Sequence, residues 1–326
     1  MSGMFSDVER ECVVSAHRPA ADDVVVLELT AQNGRDLPPW EPGSHIDLLL
    51  PGADGLPLER QYSLCGDPAD RQRYRVAVLR EVDGRGGSAA VHTDLSVGTV
   101  LRIRGPRNHF LFEPPEGAPV TFVAGGIGVT PFVSMTASAS AAGVDFSLLY
   151  AGRSRSRMAF VDELSERYGD RVRVHTSDLQ TRLDVRNTIA ALPPEAHVYA
   201  CGPNRLISEI EAAWEPRPLA QLHVEHFEPR EFGPPVWQDV FEVELALTGV
   251  TAEVGLDQTI LDVVEEQGVL VVSSCRKGTC GTCETPVLEG EIEHRDSVLT
   301  PDEQDAADTM MICVSRAAGP RLVLDL

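Results

Sequence analysis

No apolar run in this 326-residue chain reaches the roughly 18 residues that a membrane-spanning helix needs, so no helical membrane span is expected. The opening MSGMFSDVER lacks the charged-then-apolar pattern of an export signal. Positive charge is scarce: 28 Lys and Arg stand against 50 Asp and Glu, a net charge of −22. That balance argues against nucleic acid or an anionic membrane as partner. There is no internal repeat and no low-complexity tract. Neither a Ser–His–Asp grouping nor a helical His pair of the metal-site type occurs, so chemistry of those kinds is not expected. Cysteine is sparse as well, at seven. An odd number surplus to the four discussed below, without an export signal, predicts free thiols in a reducing cytoplasm.

What is present starts with the spacing of Cys275, Cys280, Cys283 and Cys313. The first three lie in SSCRKGTCGTCE as C-x4-C-x2-C, and the fourth follows after 29 intervening residues. This is the plant-type spacing for a [2Fe–2S] cluster, which carries one electron at a time. Two bridged irons need four thiolates. One tight loop supplies three of them, and Gly278 and Gly281 allow its backbone to bend close to sulfur. A structural zinc site also takes four thiolates, but usually as two short Cys-x2–4-Cys knuckles. The x4, x2, long-gap pattern differs from that.

The flanks agree with the cluster. FEVELALTGVTAEVG alternates as two strands, and an amphipathic helix is predicted from about Thr259 to Gln267. Cys313 falls in a β-like run, MMICVS. Residues 237–326 thus resemble a plant-type ferredoxin, a β-grasp fold. The resemblance implies that Cys275 and Cys280 hold the outer iron, and Cys283 and Cys313 the inner one. This segment carries 18 Asp/Glu against 5 Lys/Arg, a net of −13, where the rest of the chain has −9. The excess suits solubility, and equally a docking surface for a basic patch on an electron acceptor.

Length suggests two or three domains. Residues 1–116 are β-rich: VVVLELT, SHIDLLL, YRVAVLRE and TVLRIRG are strand-like runs between turns, which predicts an antiparallel β-barrel. In residues 117–228 the apolar strands VTFVAGG, DFSLLYAG, RVRVHTSD and HVYACGP alternate with helical stretches, the rhythm of an α/β Rossmann-like sheet. FEPREFGPPVW, with its prolines and glycine, predicts a linker over 229–236.

RQYSL, Arg60–Leu64, lies in the barrel ahead of the nucleotide fold and the cluster. In that setting the chain resembles the ferredoxin–NADP reductase superfamily. The resemblance implies that Arg60 binds flavin phosphate, Tyr62 contacts the ribityl and ring, and Ser63 hydrogen-bonds near flavin N5. A hydride acceptor needs such a group near N5, and a phosphate needs a cation. Downstream, Gly86, Gly87 and Ser88 precede a predicted helix whose N–H groups suit an anion. Ser88 is also a candidate cap for that helix, and Arg85 adds a second cation. A compact one-phosphate site favours FMN over FAD. His45 and His109 are the histidines expected nearest the flavin, though each also reads as an ordinary strand or loop residue.

FVAGGIGVTP ends a strand in glycines and starts a helix at Pro131. Gly125, Gly126 and Gly128 are expected to let the backbone approach a pyrophosphate. The string resembles the superfamily's GGxGxTP turn, which implies that Thr130 lies near the nicotinamide. ACGP resembles the segment beside which hydride leaves nicotinamide C4, implying roles for Cys201, Gly202 and Pro203. Arg153 and Arg157 are candidates for ribose or phosphate contacts, and Asp178 for the adenine ribose. Phe227 is the candidate aromatic near the flavin, with Glu225 beside it.

Barrel, nucleotide domain and C-terminal ferredoxin, in that order, resemble the phthalate dioxygenase reductase family, which includes vanillate demethylase reductases. The resemblance spans about residues 8–326. It implies a multidomain oxidoreductase that holds FMN and one [2Fe–2S] cluster, takes hydride from NADH (NADPH remaining open) and feeds single electrons to a Rieske-type oxygenase component. A cytochrome P450 is the alternative acceptor.

Overall fold

The computed structural model describes residues 8–52, 57–82, 84, 86–113, 115–179, 182–215 and 217–326. Chain contacts divide it into two units, Met1–Phe227 and Glu228–Leu326.

The first unit opens with β1 (Glu9–Ala21), β2 (Val24–Ala31), β3 (His45–Pro51), β4 (Pro57–Ser63), β5 (Tyr74–Leu79), α1 (Gly87–Thr93) and β6 (Val100–Arg107). The strands form an antiparallel sheet in the order β4-β3-β6-β1-β2-β5. Its two ends meet where Leu64 bridges Val76, so the sheet curls into a barrel and protects its edges. Leu29, Ile46, Leu48, Val76 and Ile103 fill the interior. Of the strands here, β1 was not foreseen, and β4 reads as a strand only as the ordinary alternative for RQYSL. Polar residues interrupt the first, and the second carries RQYS, whose side chains serve a site rather than a core.

The run VVVLEL in β2 is apolar on both faces for a reason. Leu27 and Leu29 point into the barrel, whereas Val24 and Val26 join Phe110, Phe122 and Phe132 in a core shared with the next sheet. That sheet comprises β7 (Val120–Gly125), β8 (Phe146–Gly152), β9 (Val172–Thr176), β10 (His197–Gly202) and β11 (Leu222–His226), interleaved with α2 (Thr130–Ala141), α3 (Val161–Tyr168), α4 (Val185–Ala190) and α5 (Asn204–Trp214). All its pairings are parallel. The order β11-β10-β7-β8-β9 reverses direction beside β7. A crevice at the carboxyl ends of β7 and β10 is therefore the place where this kind of sheet binds ligands.

The second unit holds β12 (Phe241–Leu245), β13 (Val250–Val254), α6 (Ile260–Glu266), β14 (Glu284–Glu289), β15 (Ile292–Glu293), α7 (Pro301–Ala306), β16 (Thr309–Met311), β17 (Arg316–Ala317) and β18 (Arg321–Leu324). The main sheet runs β13-β12-β18-β14-β16, with β12 and β18 parallel at its centre. The Thr259 hydroxyl accepts the Asp262 N–H at 3.1 Å and caps α6, while Ile260, Leu261, Val263 and Val264 bury its apolar face. The expectation for MMICVS needs correction: the strand ends at Met311, and Cys313 lies in the turn that follows.

Candidate functional site

Three clusters of motif residues form at strand ends. In the barrel, Arg60 and the glycines after residue 84 come together. A Cβ on Gly87 would lie 2.6 Å from Arg60 Cγ and 2.7 Å from its Nε, so only glycine admits this arginine. Gly86 takes a left-handed φ of 84° and caps α1. Ser88 is not the cap. Its hydroxyl accepts the Glu81 N–H at 3.0 Å and ties the loop to the end of β5. Arg85 lies outside the described residues. Ser63 is buried at the end of β4, directly across from His45 in the register, and the His45 and His109 rings stack with centroids 5.9 Å apart. Tyr62 is half-buried, and burial pushes its phenol well above the usual range, so it remains a neutral donor. An arginine against glycine backbone at a helix start is chemistry that fits a phosphate.

At the switch point the glycines divide into two kinds. A Cβ on Gly128 would meet the Cys201 carbonyl oxygen at 2.4 Å, and one on Gly202 would meet Gly125 Cα at 2.9 Å. One on Gly125 would meet Pro203 Cδ at 2.7 Å. These three bring the ends of β7 and β10 into backbone contact. Gly126 alone faces open space, with a left-handed φ of 55°. Thr130 is buried and donates its hydroxyl proton to the Ile127 carbonyl at 3.0 Å.

Cys201 is fully buried at the end of β10, opposite Glu225 of β11. Its thiol lies 3.8 Å from Glu225 Oε2. Burial raises the Glu225 carboxyl to about 8, with the Cys201 hydrogen bond working the other way. Burial, and then Glu225, raise the thiol. Both shifts favour the protonated forms of the two groups. The folded protein binds this carboxyl proton more tightly than the unfolded chain. Stability therefore falls as pH rises from the ordinary carboxyl range through about 8, by at most about 1.4 kcal/mol per pH unit. Thermal melts between pH 5 and 9 should show this slope, and Glu225→Gln should flatten it.

Asp178 donates its backbone N–H to the Arg153 carbonyl at 3.1 Å, so these two predicted nucleotide contacts are neighbours. Both side chains are exposed. Arg157 pairs with Asp23 in the turn between β1 and β2. Phe227 follows β11 and is 39% exposed.

In the second unit the four cysteines are buried. Their side chains lie near one another, Cys275 beside Cys280 and Cys313, and Cys283 beside Cys313. Cys283 and Cys313 belong to the apolar core, whereas Cys275 and Cys280 lie outside it. The backbone N–H groups of Lys277 and Thr279 approach Cys275 Sγ at 3.3 and 3.5 Å. Gly278 turns with φ 69°, and a Cβ there would strike Val314 at 2.5 Å. Among the described residues no three His, Cys, Asp or Glu side chains group around one metal ion. Four buried thiols brought together from one loop and one later turn are a donor set that fits two bridged irons.

Asp296 and Arg75 escaped the sequence reading. Asp296 is buried and accepts the N–H groups of Val298 and Leu299 at 3.0 and 2.8 Å, and its Cα lies beneath Gly278. Burial opposes its charge, but His294 and these N–H groups outweigh burial and lower its pKa. The only local signal was an acidic residue between Cys283 and Cys313, one among many.

Among the described residues no helix is long and apolar enough to cross a membrane. The chain matches the family model of the 2Fe-2S iron-sulfur cluster binding domain over residues 243–318 and that of the oxidoreductase NAD-binding domain over 122–212. It is 43% identical to phenoxybenzoate dioxygenase subunit beta of Ectopseudomonas oleovorans, covering 94% of each chain. It is similar to an intact type IV self-sufficient cytochrome P450 monooxygenase, with a TM-score of 0.91 and 45% identity over 98% of this chain. The match spans only 41% of that longer protein. It is also similar to the structure of phthalate dioxygenase reductase, described as modular for electron transfer from pyridine nucleotides to [2Fe-2S]. There the TM-score is 0.69 and identity 35%, with 98% of each chain covered. The barrel, the parallel sheet and the four buried thiols, together with this full-length similarity, make the chain a member of the phthalate dioxygenase reductase family, the flavin and iron–sulfur oxidoreductases of oxygenase systems.

Proposed function

We propose that this protein passes electrons from NADH through FMN and a [2Fe–2S] cluster to a Rieske-type oxygenase component. The observation that supports a flavin phosphate here is Arg60 packed on Gly87 at the start of α1, a cation beside helix-start backbone. Arg60, Gly86, Gly87 and Ser88 hold that phosphate, with Arg85 as a further cation. Tyr62 borders the ring and Ser63 donates toward N5. When bound, the flavin supplies the exchange between two-electron and one-electron chemistry, and the cluster supplies a one-electron carrier. The chain's own residues position and shield. Gly126 and Thr130 border the pyrophosphate and nicotinamide. Arg153 and Asp178 bracket the adenosine half, and the hydroxyl-bearing ribose beside Asp178 favours NADH. Cys201 and protonated Glu225, with Gly202 and Pro203, form a neutral wall for the nicotinamide, and Phe227 covers the flavin face. Cys12, Cys65 and Cys201, the three cysteines outside the cluster set, form no disulfide, which suits a reducing cytoplasm.

The similarity to a P450 fusion supports a cytochrome P450 as the second candidate acceptor. Turnover with each purified class of acceptor separates the two. The test of the main reading is an anaerobic NADH titration followed by visible absorbance and low-temperature EPR, after mass identification of the released flavin. FMN, bleaching by NADH and a rhombic signal of about one spin per cluster are expected. Released FAD, or bleaching by NADPH alone, would overturn the cofactor assignments.

A further inference from the structure

The segment after β8 is fastened to the flavin barrel by contacts that none of the functional motifs contains. Ser156 accepts the Asp22 N–H at 2.8 Å, and Arg157 pairs with Asp23. Further along, Phe160 adopts a left-handed backbone, φ 60° and ψ 6°. A bulky residue there is strained and persists only where its surroundings enforce it. The packing around it supplies that enforcement: the Phe160 ring is buried, and the Arg75 guanidinium of β5 lies 4.6 Å above its centroid. The same guanidinium reaches both carboxylate oxygens of Glu163 in α3, at 2.7 and 3.3 Å. On its other side Arg75 is joined to the flavin strand. Its carbonyl accepts the Cys65 N–H at 2.8 Å, and its neighbour Val76 bridges Leu64, the residue after Ser63.

We propose that Arg75 is a positioning residue for hydride transfer. It clamps the nucleotide-binding segment, through Phe160 and Glu163, to the strand end that carries Ser63. The nicotinamide and the flavin edge are held by different sheets, and hydride transfer depends steeply on their separation. A strained, charge-fastened link between the two is suited to fixing that distance. This inference rests on the proposed flavin and nicotinamide sites.

The test is stopped-flow reduction of the flavin by NADH in the full chain, for wild type, Arg75→Met and Glu163→Gln. Glu163 is largely exposed, at 44%, so its variant folds even if Arg75→Met does not. Each variant should keep its flavin content, its dithionite reducibility and, within about threefold, its NADH KM, yet lose roughly 10-fold or more in the reduction rate constant, as small misplacements do. Glu163→Asp should recover part of the rate. Unchanged rate constants in both soluble variants, with NADH reducing the wild type normally, would overturn the clamp alone. A wild-type protein that holds flavin but is not reduced by NADH would overturn the underlying sites instead.

Discussion

Cys280→Ser is expected to abolish electron delivery to one-electron protein acceptors, by more than the ~100-fold typical of disturbing a metal site's outer partners. NADH-driven reduction of a flavin-level dye such as ferricyanide should survive. The reason is topological. Cys280 belongs to the second unit, whereas Arg60, Ser63, Gly126 and Cys201 all belong to the first. Within its own unit Cys280 lies outside the apolar core cluster, so its replacement by the similarly sized serine leaves that core intact. Two measurements check this: iron content with EPR after anaerobic reduction, and the ratio of cytochrome c to ferricyanide rates. Equal loss of both activities would count against separate sites.

The second large effect belongs to a glycine. Gly128→Ala would place a methyl 2.4 Å from the Cys201 carbonyl oxygen and 2.7 Å from the Gly202 nitrogen. Both neighbours are backbone, held by the parallel ladder on each side of β10, so neither yields as a side-chain tip would. Overpacking of this kind costs about 1–3 kcal/mol or more, a fall on the order of 5–10 °C in the melting temperature of the first unit. NADH-driven dye reduction should fall with it, because the ends of β7 and β10 are forced apart. Gly126→Ala is the control. Its methyl meets no atom within 4 Å, so only the left-handed backbone is penalised, by about 1–2 kcal/mol. Comparable damage from both substitutions would mean that conformation, not close approach, explains the glycine turn.

Much of this was legible beforehand where function depends on spacing. The cluster ligands announce themselves because one loop must supply three thiolates. α6 begins at its Thr-x-x-Asp capping box within a residue of its expected start. The strands VVVLELT and SHIDLLL were readable from apolar content, and β1 was hidden by polar residues. Ser88 as a cap failed because its hydroxyl had a better partner in Glu81, seven residues back, and hydrogen-bond partners at that distance leave no local pattern.

The sequence by itself determined the order of the three cofactor-related segments, the cysteine ligand set and the glycine-bearing strand ends, because these are properties of neighbouring residues and short spacings. Only the tertiary structure decided which partners those residues take. It set Arg157 beside Asp23, placed the Glu225 carboxyl beside the Cys201 thiol, and packed Gly128 against the backbone of β10. Each outcome depends on burial and on contacts between residues far apart in the chain, such as the 88 positions that separate Arg75 from Glu163. Charge and packing choose among such partners only once the sheets have brought them together.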